Sequence, residues 1–179
     1  MDKLLVIGVG GAGWAIAQQV QVLTGGQLLA LNTDHEALAA IPMANQLQVS
    51  GQILAEGNLL EKFGRELDNS FADVHQLIVT VGLGGMTGTN IAPLLVKIAV
   101  TKGIDVCVAA TLPFAFEGSR QAMASKGLDV LKKMGVPIFI YDNASIEQQE
   151  AATSISLLAA FKAGGKFLAS NVSAYMRRN

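Results

Sequence analysis

The chain has 179 residues and a mass of 18.7 kDa, which is the size of one folded domain. Hydrophobic residues make up 51% of it and charged residues 15%, a balance that excludes intrinsic disorder. The net charge of −1 argues against a general nucleic-acid-binding surface, and a single cysteine, Cys107, excludes a disulfide framework or a cysteine-based metal cluster. We expect that cysteine, which lies in an apolar run, to be buried and inert.

The segment Met1–Ala17 has some features of a signal peptide, with a lysine, an apolar stretch and an Ala-Ile-Ala end. However, Asp2 cancels the charge of Lys3, and four glycines interrupt the apolar stretch between Gly8 and Gly13. Glycine disfavours the helical core that export requires. We therefore expect no leader, no transmembrane helix and a cytoplasmic location.

Short apolar segments alternate with longer amphipathic ones along the chain. Apolar strands joined by helices are typical of a parallel sheet covered on both faces. The sequence therefore predicts an α/β, Rossmann-like domain that spans residues 1–179 and ends in a long C-terminal helix. The predicted strands are Lys3–Val9, Gln27–Leu31, Gln76–Val81, Ile104–Thr111 and Val136–Tyr141, and the predicted helices are Ala12–Leu23, Leu59–Asn69, Gly88–Lys102, Gly118–Lys133 and Ser154–Arg178.

The first glycine-rich junction, Gly8–Gly13, follows the first strand and opens a helix. Such a turn allows backbone amides to approach an anion at a helix N-terminus. Asp34 follows Gly13 at the spacing expected for the ribose-binding acid of a dinucleotide fold. This junction alone is compatible with an NAD-dependent enzyme, or with nothing more than tight packing.

The second glycine-rich junction, Gly82–Asn90, also lies between a strand and a helix. Two amide-rich loops are suited to the phosphates of a nucleoside triphosphate. The hydroxyls of Thr87 and Thr89 are further candidates to contact phosphate or Mg²⁺. No Walker lysine follows these glycines, which excludes an ordinary P-loop. Close helix–strand packing is again the alternative.

Five motifs in order resemble FtsZ of the tubulin superfamily: VIGVGGAG (residues 6–13), NTD (32–34), GLGGMTGT (82–89), TLPFAFEG (111–118) and YDN (141–143). The resemblance covers nearly the whole chain but only the nucleotide-binding half of that family. It implies binding of GTP or GDP, with Mg²⁺ as a possible companion, and a connection with filaments in cell division or the cytoskeleton.

The resemblance also implies roles for individual residues. Glu117 falls at the ribose-contacting glutamate, but the position of its companion arginine holds Gln121, with Arg120 one residue earlier. Asn143 falls at a base-contacting asparagine and Phe161 at the aromatic that packs on the base. The residues implied in binding are Gly10, Gly11, Gly13, Asn32, Asp34, Gly84, Gly85, Thr87, Gly88, Thr89, Glu117, Asn143, Phe161 and Lys166.

Four residues depart from the family pattern. Met86 replaces a glycine of the second junction, Ala15 replaces an asparagine near the base, and Trp14 precedes it where glycine is usual. Lys166 stands where the family has the carboxylate that recognises guanine. Guanine presents two donors at that edge, and lysine has no acceptor for them. We therefore expect a weakened preference for guanine.

In the family, hydrolysis requires acidic residues of a loop that the next subunit in a filament supplies. The present sequence has no Asp or Glu after Glu150, whereas the segment Ala151–Asn179 carries four cations. We therefore expect negligible GTP hydrolysis by this chain alone and predict no catalytic residue within it. His35 and His75 lie in different segments and do not form a metal-binding motif.

The segment Ser154–Arg178 carries an apolar stripe. It either packs on the chain's own sheet or forms a homodimer or a contact with an FtsZ-type partner. The leading hypothesis is a guanine-nucleotide-binding regulator of FtsZ-type filaments. The alternatives are a degenerate module that has lost nucleotide binding and acts through this helix, and an NAD-dependent enzyme. The stripe consists of Leu157, Phe161, Leu168, Val172 and Tyr175.

Overall fold

The computed structural model describes residues 3–49, 67–145 and 157–178. The strands are β1 (Lys3–Val9), β2 (Gln27–Asn32), β3 (Gln46–Gln48), β4 (Val74–Gly82), β5 (Asp105–Leu112) and β6 (Ile138–Asp142). The helices are α1 (Gly10–Thr24), α2 (His35–Ala39), α3 (Met86–Thr101), α4 (Gly118–Lys132) and α5 (Leu157–Met176), with a 3₁₀ turn at Met43–Asn45.

The six strands form one parallel sheet in the order β3-β2-β1-β4-β5-β6. In the centre, Val6 of β1 pairs with Leu28 of β2 and with Ile78 of β4. The chain winds outward from β1 through β2 to β3, and then restarts at β4 and winds the other way. The order therefore reverses between β1 and β4, and the carboxyl ends of these two strands flank the crevice where such sheets bind ligands.

Helices cover both faces of this sheet. Alternate residues of the central strands point to opposite sides, because side chains alternate along a strand. Ile7 and Val79 belong to the cluster that packs under α3 and α4, whereas Val6 and Ile78 belong to the cluster under α1 and α5. Since each strand is buried on both faces, its sequence is an almost uninterrupted apolar run.

The predicted architecture is confirmed, and all five predicted strands are present, β1 with the predicted limits. A sixth strand, β3, was missed because Gln46–Gln48 is short and mostly polar. The short helix α2 was missed too. The predicted helix Leu59–Asn69 lies almost entirely outside the described residues, as do residues 154–156 of the predicted last helix.

Two residues of the apolar stripe of the last helix pack on the chain's own sheet, and the Leu157 side chain lies outside the described residues. Leu168 and Val172 are completely buried in the cluster that α5 shares with α1. A Cβ at Gly164 would lie 2.7 Å from the Tyr141 ring, so this glycine permits close packing of α5 on β6. Phe161 and Phe167 remain about half exposed. No helix in the described ranges combines the length and apolarity needed to cross a bilayer.

Candidate functional site

A cleft of about 280 Å³ lies at the carboxyl ends of β1, β4 and β5. Its walls come from the two glycine-rich junctions, from the loop after β5 and from Phe161 of α5. We refer to it as the switch-point cleft. Its lining residues are Val9, Gly10, Gly11, Ala12, Asn32, Gly82, Leu83, Gly85, Met86, Thr87, Gly88, Thr111, Leu112, Pro113, Glu117, Arg120, Asn143 and Phe161.

The first junction presents the N-terminus of α1 to this cleft. The cap residue of α1, Val9, supplies no side-chain hydrogen bond, and the first turn carries no acidic residue. Gly10 has φ +71°, a conformation that favours glycine. A Cβ at Gly11 would meet no atom within 4 Å, so that position opens toward the cleft. The first N–H groups of α1 therefore have no intrahelical acceptor and no side-chain cap.

Gly13 belongs to the same motif but has a different role. A Cβ there would overlap the Thr80 carbonyl oxygen and lie 3.2 Å from the Val81 Cα atom. The Thr80 hydroxyl also donates a hydrogen bond of 2.7 Å to the Gly13 carbonyl oxygen. Gly13 does not line the cleft, and its contacts are those of a glycine that brings α1 against β4.

The second junction presents the N-terminus of α3 to the same cleft. Gly85 caps α3 without a side-chain hydrogen bond, and the first turn again lacks an acidic residue. A Cβ at Gly85 would meet no atom within 4 Å. Thr87 lines the cleft, and its hydroxyl lies 2.8 Å from that of Thr33. Two helices thus direct uncapped N-termini, each a partial positive charge, at one cavity.

Three predicted residues of this junction make contacts that hold the loop. The Gly84 N–H donates a 2.9 Å hydrogen bond to the buried Thr89 hydroxyl, and neither of these residues lines the cleft. Gly84 has φ +98°, and a Cβ there would lie 2.8 Å from the Pro113 ring. Gly88 does line the cleft, and a Cβ at this glycine would lie 2.6 Å from the Gly82 carbonyl oxygen.

Glu117 and Arg120 form a charged pair at the edge of the cleft. One carboxylate oxygen of Glu117 lies 2.6 Å from the Arg120 guanidinium, and the other accepts a hydrogen bond from the Phe114 N–H at 3.1 Å. Arg120 therefore reaches the cleft although it stands one residue early in the motif. Gln121, at the expected arginine position, donates to the Pro113 and Phe114 carbonyl oxygens and stabilises the loop.

Asn143 and Phe161 lie on the α5 side of the cleft. The Asn143 amide nitrogen donates to the Leu112 carbonyl oxygen at 2.7 Å, while its Oδ1 is buried without a hydrogen-bond partner among the described residues. A buried acceptor without a partner is uncommon and indicates a place for a missing donor. The Phe161 ring packs edge-on against Phe114, with centroids 5.4 Å apart.

An apolar side pocket of about 340 Å³ adjoins the cleft, with which it shares Ala12, Thr111 and Phe161. Its remaining lining residues come from α1. None of them was predicted as a site residue, although Ala15 is one of the residues that depart from the family pattern. Their helical spacing after Ala12 was the available signal, because residues three or four apart share a helix face. These residues are Ala15, Ile16 and Gln19.

Two further predicted residues do not line the cleft. Asp34 caps α2, where its side chain accepts a 2.9 Å hydrogen bond from the Glu36 N–H, and its own N–H donates to the cleft residue Asn32. Lys166 is exposed on α5 and lines neither the cleft nor the side pocket. The dinucleotide interpretation loses its ribose-binding acid, because that carboxylate serves as a helix cap.

The described ranges contain no cluster of three or more His, Cys, Asp and Glu residues able to hold a metal ion. The Cys107 side chain is buried, as expected. Burial, with a smaller contribution from Asp105, raises the pKa of the Cys107 thiol from 9.0 to about 12. The neutral thiol is a poor nucleophile and a poor metal ligand.

Comparison with known proteins assigns this architecture to a family. The model of the Tubulin/FtsZ family, GTPase domain, matches residues 3–150. Cell division protein FtsZ of Aquifex aeolicus is 32% identical over 174 residues, which cover 89% of this chain and 47% of that protein. FtsZ 1 of Thermococcus kodakarensis is 31% identical, over 93% of this chain and 48% of the relative. The chain thus spans about half the length of these curated relatives.

Solved structures agree with this assignment. An empty FtsZ dimer from M. jannaschii superimposes with a TM-score of 0.78 at 27% identity, over 97% of this chain and 54% of the other. CetZ from Methanosaeta thermophila shares the fold, with a TM-score of 0.73 at 18% identity. The matched region includes both glycine-rich junctions and the loops that form the cleft. The chain therefore belongs to the Tubulin/FtsZ family and contains its GTPase domain.

Proposed function

We propose that this chain binds a guanine nucleotide, GTP or GDP, in the switch-point cleft. The observation that carries the proposal is the convergence of two uncapped helix N-termini, those of α1 and α3, on one cavity. The free N–H groups and the helix dipoles both favour a bound anion. Gly11 and Gly85 leave the backbone open at these two positions, so that phosphate oxygens have access to the amides.

The two charged side chains that the structure describes in the cleft are paired with each other, which leaves phosphate recognition to the backbone. Among the described residues that line it, Arg120 is the one cation and Glu117 the one anion, and the two are paired. Their charges largely cancel, so the backbone amides and hydroxyls are the remaining donors for phosphate. Such amide-lined concavities bind phosphate without a lysine.

The part of the cleft lined by Asn143 and Phe161 is suited to the nucleoside. Phe161 offers an aromatic face or edge, and the buried Asn143 Oδ1 is an acceptor without a partner among the residues that the structure describes. A base N–H would satisfy that acceptor and remove the cost of its burial. Phosphate at the glycine junctions and the base near α5 would then place the ribose close to Glu117.

The residues present also fit Mg²⁺ as a companion of the phosphates. Mg²⁺ keeps several waters and is commonly held by phosphate oxygens with only one or two protein ligands. Thr87 lines the cleft in the first turn of α3, and its hydroxyl would be a candidate ligand there. When bound, the ion would neutralise phosphate charge.

The proposal is tested by calorimetric titration of the purified chain with GTP and GDP in the presence of Mg²⁺. We expect binding, and we expect Gly11→Ala and Gly85→Ala each to weaken it roughly tenfold to a hundredfold, because each Cβ displaces a charged hydrogen bond worth about 1.5–3 kcal/mol. Gly118→Ala is the matched control, since a Cβ there also meets nothing within 4 Å and Gly118 does not line the cleft.

Absence of GTP and GDP binding by the wild-type chain would refute the proposal. Equal weakening by the Gly118→Ala control would refute the assignment of the two junctions. A cooperative thermal transition establishes that each variant is folded. The rise in melting temperature on addition of nucleotide gives a second measure of binding, because a ligand stabilises the folded state that binds it.

We further propose that the chain hydrolyses GTP very slowly by itself. Glu117 is the one carboxylate among the described cleft residues, and it is engaged by Arg120 and by the Phe114 N–H. It is therefore not available to orient an attacking water. We expect the wild-type chain to release phosphate from GTP at a rate indistinguishable from that of the Gly85→Ala variant. A higher, GTP-dependent rate in the wild-type chain would contradict this proposal.

Since the curated relatives are cell division proteins, we propose for this chain a cytoplasmic role as a partner or regulator of FtsZ-type filaments. Met86 and Phe161, 65% and 49% exposed, line the cleft, and Phe116, 64% exposed, stacks on Phe114, which packs against Phe161. Apolar side chains grouped around a cleft indicate a surface that another chain covers. We expect substoichiometric addition of this chain to shorten filaments of a full-length FtsZ.

Phe116 provides the specific test of this contact, because it is exposed and does not line the cleft. Phe116→Ser is expected to abolish the effect on filament length and to retain GDP binding. Val130→Ser, at a 45% exposed valine of α4, is the matched control and is expected to act like wild type. Unchanged filaments in the presence of the wild-type chain would refute the filament role.

One observation favours the alternative of a module without nucleotide. Met86, the first residue of α3, lines the cleft and carries a large side chain beside the uncapped helix N-terminus that is proposed to hold phosphate. If this blocks phosphate, the wild-type chain binds no nucleotide and Met86→Gly restores binding. The burial of Leu168 and Val172 removes two of the five stripe residues that this alternative would use for dimerisation.

A further inference from the structure

We infer that Gln19 contacts the base of the bound nucleotide, and that the cleft consequently accepts adenine as well as guanine. The inference rests on the proposed function, because it concerns the nucleoside end of the same site. Gln19 belongs to α1 and lines the apolar side pocket that adjoins the switch-point cleft.

The side pocket has an almost entirely apolar lining, which suits the face of an aromatic ring. Ala12, Ala15, Ile16 and Phe161 give it apolar walls, and the Gln19 amide is the one amide side chain among its described lining residues. Ala12, Thr111 and Phe161 line both cavities, so the pocket adjoins the cleft. A base that leaves the cleft beside Phe161 would therefore meet Gln19.

The position of the Gln19 amide depends on Gly165 of α5. A Cβ at Gly165 would overlap the amide group of Gln19, so the absence of that carbon creates the space the amide occupies. The amide forms no hydrogen bond with any residue that the structure describes. Gln19 lines the otherwise apolar pocket, and its amide lies against α5 at Gly165, from which rotation of the side chain can direct it toward a bound base.

A second amide without a full set of partners lies in the adjoining cleft. Asn143 is 3% exposed, and its Oδ1 has no hydrogen-bond partner in the described part of the chain. This orphaned acceptor independently indicates a ligand that brings an N–H group. Both purines meet this requirement, guanine with its ring N–H and amino group and adenine with its amino group.

The distribution of carboxylates explains why the base preference should be relaxed. A carboxylate accepts hydrogen bonds only and therefore selects the two adjacent donors of guanine. Glu117 is the one carboxylate of the described cleft and is already engaged, and Lys166 lines neither cavity. A glutamine amide has a donor and an acceptor and can turn either toward the base, so it pairs with guanine or with adenine.

The test is a calorimetric titration of the whole chain with GDP and ADP, in wild type and in two variants at position 19. We expect the wild-type dissociation constants for GDP and ADP to agree within about tenfold, since no single-polarity group enforces a choice. Gln19→Glu is expected to shift the ratio toward GDP by about tenfold, the effect of one hydrogen bond gained by one base and lost by the other. Gln19→Leu is expected to weaken both nucleotides.

Gln18→Leu, at the exposed neighbouring glutamine, is the matched control and is expected to leave both constants unchanged. Gly165→Ala provides a second route to the same result, because it displaces the Gln19 amide without removing it. We expect it to weaken both nucleotides in the same way as Gln19→Leu. Inorganic tripolyphosphate, which has no base, should bind equally to wild type and to every variant at position 19.

The outcomes separate this inference from the proposed function. If GDP binds and Gly85→Ala weakens it, but the Gln19 variants leave the GDP to ADP ratio and both affinities unchanged, the inference is refuted and the proposed function stands. A wild-type preference for GDP above a hundredfold also refutes the inference alone. If neither GDP nor ADP binds, both are refuted.

Discussion

Replacement of Gly13 by alanine should destabilise the fold, whereas the same replacement at Gly11 should not. A Cβ at Gly13 would overlap the Thr80 carbonyl oxygen and lie 3.2 Å from the Val81 Cα atom. These are backbone atoms of the central strand β4, which is paired on both sides and cannot move independently. Helix α1 must therefore move away from the sheet.

The magnitude follows from two terms. Overpacking of a close contact costs about 1–3 kcal/mol. The displacement also strains or breaks the buried 2.7 Å hydrogen bond from the Thr80 hydroxyl to the Gly13 carbonyl oxygen, worth about 1 kcal/mol. The sum of about 2–4 kcal/mol is a large part of the ~5–15 kcal/mol that stabilises a typical domain.

Urea unfolding measures this loss as a lower transition midpoint at an unchanged slope. Gly11→Ala is the matched control in the same helix, because a Cβ there meets no atom within 4 Å. It should be neutral or stabilise the chain by up to about 1 kcal/mol, since alanine has the higher helix propensity. A Gly13→Ala variant within about 0.5 kcal/mol of wild type would refute the assignment of Gly13 to packing.

Three further predictions concern loops, pH and surface charge. Thr89→Val removes the acceptor of the Gly84 N–H and should lower the free energy of unfolding by about 1–2 kcal/mol in urea. The folded chain retains the Cys107 proton up to about pH 12, whereas the unfolded chain loses it above about pH 9, so stability falls with rising pH in that interval. Relative to Cys107→Ala, wild type should lose about 1.4 kcal/mol per pH unit there. Asp68→Asn removes the exposed ion pair with Lys102 and should change stability by less than about 0.5 kcal/mol.

Each of these predictions has a result that contradicts it. An unchanged urea midpoint for Thr89→Val would mean that water replaces the hydroxyl. Parallel pH profiles for wild type and Cys107→Ala between about pH 9 and pH 12 would mean that the thiol ionises in the folded chain. A loss of more than about 1 kcal/mol in Asp68→Asn would assign the exposed ion pair a structural role that its exposure does not predict.

The parts of the fold that could be predicted are those that depend on local patterns. The central strands are buried on both faces, so their apolar runs are visible in the sequence, and Gly10 and Gly85 mark the turns where helices begin. Strand β3 could not be predicted in this way. Its three residues pair with β2 from Ala30 to Asn32, and that pairing is a tertiary contact with no local signal.

The candidate site was predictable to the same extent. Gly10, Gly11, Asn32, Gly85, Thr87, Gly88, Glu117, Asn143 and Phe161 line the switch-point cleft, and all were identified from motifs. Gly13, Asp34, Gly84, Thr89 and Lys166 do not line it, although they were predicted in the same way. A motif specifies where a residue lies along the chain. Whether that residue reaches the cleft depends on how the helix, strand or loop that carries it is oriented in the fold.

The sequence by itself determined the class of fold, the two glycine-rich junctions and the family, because these depend on periodicity and on residues adjacent along the chain. Only the tertiary structure decided which glycines open to the cleft and which serve packing, because the difference between Gly11 and Gly13 is the distance to β4. It also brought Gln19 of α1 against Gly165 of α5, two residues with no relation in the sequence. Contacts between distant segments depend on how α1 and α5 pack on one face of the sheet, and local residue patterns do not contain that information.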